Sequence, residues 1–172
     1  MPELKLVKVQ CVDDTGEWVT SDYVYVAVFI GRRGKKEKGE MKTSPGYYMY
    51  DGQERNLSDV IDPNYDPSDL YLVALMEQDW AKDITGPERA TIVKDWMKPV
   101  FDAFGGHVLA DLSSVANSVA PFMVSAIINN TVNDDLLGVK WLEPLESAGK
   151  WRGLHFKNKT QGGDYWVRFQ LQ

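Results

Sequence analysis

From Leu4 to Val12 (LKLVKVQCV) apolar and polar residues alternate with a period of two, the pattern of a strand with one buried face. Asp13-Asp14-Thr15-Gly16-Glu17 interrupts it with turn-forming residues. Asp22 to Ile30 (DYVYVAVFI) is rich in β-branched and aromatic side chains and predicts a second strand, closed by a basic turn over Gly31–Gly39. Met41 to Tyr50 reads as a strand with exposed tyrosines, and Asn56 to Ile61 as a short piece, extended or helical. Two prolines make Asp62–Pro67 a loop, because each pushes its predecessor out of helical geometry. Leu70 to Met76 (LYLVALM) is an apolar run of strand length, as expected of a central strand buried on both faces.

Beyond Glu77-Gln78-Asp79-Trp80 the period changes. Thr85 suits a helix cap and Pro87 a first helical turn, and Glu88–Phe104 carries Ile92, Val93, Trp96, Val100, Phe101 and Phe104 at helical spacing. Gly105-Gly106 ends it, and His107–Asn130 predicts a second helical stretch, interrupted near Pro121. Strand patterns return at Leu137–Leu142, Gly153–Lys157 and Tyr165–Leu171, the last behind a Gly162-Gly163 turn. The expected product is one mainly β domain, residues 1–172, folded as an antiparallel sandwich. A helical insert of about residues 85–130 lies within a connection spanning 81–132.

The chain has 172 residues with a net charge of −6 and a pI near 4.9, a balance that argues against nucleic acid, whose phosphates require clustered Lys and Arg. Its one dense basic run, Arg32 to Lys38, carries its own Glu37 and reads as a solvated hairpin tip or as a small patch for anionic headgroups. Cys11 is the single cysteine, so no intramolecular disulfide can form, and its alternating neighbours make it a buried small hydrophobe. Neither a basic start with an apolar segment behind it nor a long uninterrupted apolar run is visible. The expectation is a protein without a cleaved signal or membrane span, cytoplasmic or exported by another route.

Acidic residues cluster beside strands in three places. The first group is Asp13, Asp14, Glu17 and Asp22, the second Glu77 and Asp79 with Asp83 nearby, and the third Asp134 and Asp135. Calcium takes roughly six to eight oxygen ligands, and no loop here has the spacing of an EF-hand, so ligands would have to converge from several loops. Bunching carboxylates without a cation costs repulsion. Asp is also common in turns for its own hydrogen bonding, so no single cluster decides the matter.

The order of these segments resembles a C2 domain, a calcium-dependent β-sandwich. Thr20-Ser21-Asp22-Tyr23-Val24-Tyr25-Val26 looks like the family's S-D-P-Y-V-K-V exit from the first loop, with Tyr23 in place of proline. Glu77-Gln78-Asp79 looks like the D-x-D that opens the third loop, and Asp134-Asp135-Leu136-Leu137-Gly138 like the D-D-x-[IL]-G that closes it. The second-loop pattern N-P-x-W-N-E has no match between Tyr47 and Asp69, where Asp51 is the nearest position.

The resemblance implies a C2-like sandwich with the helical insertion in its third loop, and calcium held by Asp14, Asp22, Glu77, Asp79 and Asp135, with Asp13 and Asp134 as adjacent alternatives. It implies a phospholipid membrane surface or a protein partner as target. Trp18 and Trp80 each lie beside a ligand cluster, where Trp suits contact with a membrane or partner or, equally, a cap on the sandwich core. Two other classes stay open. One is a metal-free interaction module. The other is a carboxylate-dependent hydrolase, for which no nucleophile or phosphate-binding motif is present.

Overall fold

The structure is a computed structural model that describes residues 1–16, 21–33, 39–78, 91, 95, 111–130, 134–160 and 162–172, without the side chains of 130, 134 and 135. Among the described residues, nine strands follow in chain order: β1 (Leu4–Asp13), β2 (Asp22–Gly31), β3 (Gly39–Thr43), β4 (Tyr47–Met49), β5 (Glu54–Asp62), β6 (Leu70–Gln78), β7 (Asp134–Trp141), β8 (Trp151–Lys157) and β9 (Asp164–Leu171). A helix, α1 (Leu112–Asn130), precedes β7. All these pairings are antiparallel, in a first sheet ordered β5-β1-β9-β8 and a second ordered β3-β2-β6-β7, with β4 also on β2. A mainly β sandwich with a helical insert is therefore what the chain forms, and its strand arrangement is compatible with a C2-like fold.

The layers follow from alternation. Leu4, Leu6, Val9 and Cys11 of β1 and Tyr165, Val167, Phe169 and Leu171 of β9 face Val24, Val26, Val28 and Ile30 of β2 and Tyr71, Val73 and Leu75 of β6 across the interior. The opposite phase of β2 and β6 (Tyr25, Ala27, Phe29, Leu72, Ala74, Met76) is equally buried, because α1 covers it with Val115, Val119, Met123 and Ile127. That third layer explains why β6 is apolar on both faces.

Asp111 caps α1: its backbone carbonyl accepts from Val115 N–H, and its carboxylate accepts from the Ser113 amide and the Ser114 hydroxyl. The helix runs through Pro121 without a break, contrary to the expected interruption. Pro121 and Asn117, whose carbonyl loses its usual N–H partner to the proline, both face outward, where water can satisfy the oxygen. By length and composition Leu112–Asn129 would suffice to cross a membrane, but its apolar stripe lies on the second sheet. The earlier helical expectation, Glu88–Phe104, falls outside the described residues apart from Thr91 and Asp95, which are helical.

The basic turn has a different inner end from the one expected. The Arg32 side chain is only 11% exposed and makes a two-pronged pair with Asp62 at 2.7 and 3.1 Å, a further bond to Asp69 at 2.9 Å and a looser pair with Glu40. Asp62, fully buried, also accepts from Tyr71 Oη at 2.6 Å and from the Asn64 amide. Arg32 thus joins the ends of β2 and β5 to the start of β6, rather than lying in solvent. Residues 34–38 lie outside the described set.

Candidate functional site

The far end of the sandwich gathers the ends of β1, β6 and β8, the starts of β2, β7 and β9, and the β4–β5 turn. Register puts them together: Asp13 of β1 pairs with Asp164 of β9, Asp22 of β2 with Met49 of β4, and Gln78 of β6 with Asp134 of β7. Two latches hold the β4–β5 turn on β1. Cys11 N–H donates to the Gln53 carbonyl at 2.8 Å, and Asp14 N–H donates to Oδ1 of Asp51 at 2.7 Å. The turn itself is closed by Gln53 N–H to the Tyr50 carbonyl, with Gly52 in its third position at φ +73°, a conformation that favours glycine.

The result is a group of three carboxylates. Oxygens of Asp13, Asp14 and Asp51 all lie within 4.8 Å of one another. Oxygens bound to one calcium ion at roughly 2.4 Å can be no more than about 4.8 Å apart, so the three could share such an ion. Hard, anionic, partly exposed oxygens are the donors that calcium accepts. Burial pushes the Asp14 carboxyl above its ordinary range, Gly16 N–H pulls it back, and the charges of Asp51, Asp22 and Asp13 add to the upward push. A cation placed there would relieve this repulsion.

Asp22 lies beneath this group and is only 3% exposed. Its Oδ2 accepts from Thr15 N–H at 2.8 Å and from Tyr165 Oη, and its Oδ1 accepts from Thr15 Oγ1 at 2.7 Å. Tyr165 is also hydrogen-bonded to Cys11, and its hydroxyl is pushed far up by burial and by its bond to Asp22. Burial likewise raises Cys11 to about 11, with Asp22, Asp51 and Asp14 adding to it against the Tyr165 bond. The thiol is protonated at neutral pH and part of the core.

Glu77 continues the inward phase of β6 and is buried at the same end of the interior. Its register partner is Asp135, so the two segments that resemble the opening and closing of the third loop are adjacent strands. The Asp134 and Asp135 side chains, and all of Asp79, Trp18 and Trp80, lie outside the described residues.

The structure therefore brings Asp13 and Asp14 together with Asp51, sets Asp22 and Glu77 at the mouth of the core, and aligns the backbones of Asp134 and Asp135 beside Glu77 and Gln78. Asp51 entered the sequence reading only as the nearest position to a missing motif. The Y-D-G-Q turn marks where it sits, but its neighbours come from pairing between β1 and β5 that the local sequence does not display. Thr15 and Tyr165 had no expected role at all.

Exposed tryptophans among the described residues lie elsewhere. Trp151 and Trp166 stand on the outer face of the first sheet, under the Arg168 guanidinium and against the His155 ring respectively. Trp166 was legible as outward because it shares its phase in YWVRFQL with Arg168 and Gln170.

No protein-family model matches the chain, and no curated protein matches it in sequence.

Proposed function

We propose that this chain is a calcium-binding module of the C2-like kind, whose loop end docks in the presence of calcium on a membrane surface or a protein partner. The observation that carries the reading is the convergence of Asp13, Asp14 and Asp51 from two connections at one end of the sandwich. Carboxylates this close repel one another, a cost that a bound cation would offset, and Asp14 and Asp51 are joined by a hydrogen bond from the backbone of one to the carboxylate of the other. Asp13, Asp14 and Asp51 would hold the ion, with Asp135 and Asp79 as further ligands that the resemblance implies. The bound ion would supply positive charge at the loop end. That charge attracts phosphate or carboxylate groups which the acidic apoprotein, at a net charge of −6, repels.

Calorimetric titration of calcium into the protein tests the reading. Saturable binding that disappears in an Asp14→Asn, Asp51→Asn double variant supports it, and no heat of binding at millimolar calcium contradicts it.

A further inference from the structure

We infer that Asp22, itself braced by Tyr165 of β9, acts as a strut for the calcium loop, clamping Thr15 to β2 so that Asp13 and Asp14 face Asp51, rather than serving as a primary ligand. The inference rests on the calcium reading above, and it assigns positioning roles to Thr15 and Tyr165.

Three observations carry it. Both oxygens of Asp22 are engaged: Thr15 binds them together, through N–H to Oδ2 and Oγ1 to Oδ1, and Tyr165 Oη adds a second donor on Oδ2. Asp22 is buried, whereas Asp13 and Asp51 are exposed and Asp14 partly so, which places the strut beneath the ligand oxygens and not among them. Thr15 is also pressed from the β8–β9 turn. A Cβ on Gly162 (φ +79°) would meet the Thr15 carbonyl oxygen at 3.0 Å, and one on Gly163 would meet Thr15 Cγ2 at 3.4 Å. Thr15 is held by Asp22 of β2, which Tyr165 of β9 braces in turn, and it packs against the Gly162-Gly163 turn; Asp13 and Asp14 immediately precede it.

A carboxylate that orients a neighbouring ligand segment tunes metal affinity without contacting the metal, and losing such a partner typically weakens binding by about 10- to 100-fold. Tyr165→Phe and Thr15→Val should each weaken calcium binding by roughly tenfold or more, while Thr15→Ser, which keeps the hydroxyl, stays near the parent. Tyr71→Phe is the control: it deletes the same O–H to Asp bond at the opposite end of the sandwich and should leave calcium affinity unchanged.

If Asp22 were a primary ligand, freeing its Oδ2 in Tyr165→Phe would leave affinity equal or higher, and that result overturns the inference. Equal weakening by Tyr71→Phe also overturns it, because general loosening would then explain both. Amide exchange in calcium-free protein separates this inference from the calcium reading. Faster exchange at Thr15 in Tyr165→Phe supports the strut even in a protein that binds no calcium, and unchanged exchange there rejects it.

Discussion

The backbone amide of Asp14 donates to the Asp51 carboxylate at 2.7 Å across a sequence separation of 37 residues, and so holds two negative side chains of different connections against each other. Neutralising Asp51 while keeping its acceptor oxygen should reveal the repulsion. Asp51→Asn preserves the amide bond and removes a charge, so the calcium-free protein should gain about 0.5 kcal/mol, seen as a melting temperature raised by about 1–2 °C. The same variant should lose most of the stabilisation that calcium confers. A calcium-free protein that melts lower than the parent would mean the carboxylates are not in conflict.

Asp14 sets the pH dependence of that site. Its folded carboxyl binds a proton more tightly than the ordinary value of 3.8. Its contribution to stability is therefore present below that value and lost as pH rises through the raised one. Protons and calcium compete for the same oxygens, so the calcium-induced rise in melting temperature should shrink as pH is lowered towards the raised Asp14 value. Melting curves with and without calcium across the acid range measure this; a calcium effect independent of pH would contradict it.

At the opposite end the sign reverses. Desolvation would raise the Asp62 carboxyl, but its bonds from Arg32, Tyr71 and the Asn64 amide hold it below 3.8. Stability from Asp62 is present above 3.8 and lost as pH falls through the depressed folded value. Asp62→Asn leaves Arg32 largely buried without its main partner and should cost about 3–5 kcal/mol at neutral pH, with a flatter acid-unfolding limb. A loss below about 1 kcal/mol in urea unfolding would show that the Arg32 network is a surface pair in effect.

The helix offers a test of layering. Met123 is fully buried against the second sheet and Phe122 is 55% exposed, although they are neighbours. Met123→Ala should destabilise by about 2–5 kcal/mol. Phe122→Ser should change stability by about 0.5 kcal/mol or less. The reverse order would mean that α1 buries the other face.

Strand alternation made most of the fold legible, and its failures have physical causes. β5 was ambiguous because Arg55 and Asp59, which share the inward phase with Leu57 and Ile61, are charged; Arg55 reaches the Tyr48 carbonyl and Asp59 the Tyr47 hydroxyl. The segment from Met41 to Tyr50 divides into β3 and β4 at Ser44-Pro45-Gly46, where the Ser44 hydroxyl replaces a backbone acceptor for Val26 N–H. Pro121 looked like a break because sequence does not reveal that its side of the helix faces outward. Arg32 looked solvated because its partners Asp62 and Asp69 lie far along the chain.

The site was legible to the extent that its acids follow strands. Asp13 and Asp14 could be singled out, but their companion Asp51 and the Asp22–Tyr165 contact depend on pairing between distant strands.

Thermal unfolding at neutral pH, with about 2 mM calcium against excess chelator, tests the calcium reading most directly, since an ion that binds only the folded state raises its melting temperature. The account predicts a rise of several degrees in the parent and little or none in the Asp14→Asn, Asp51→Asn variant. Superimposable parent melts with and without calcium would contradict it and leave a metal-free interaction module in its place.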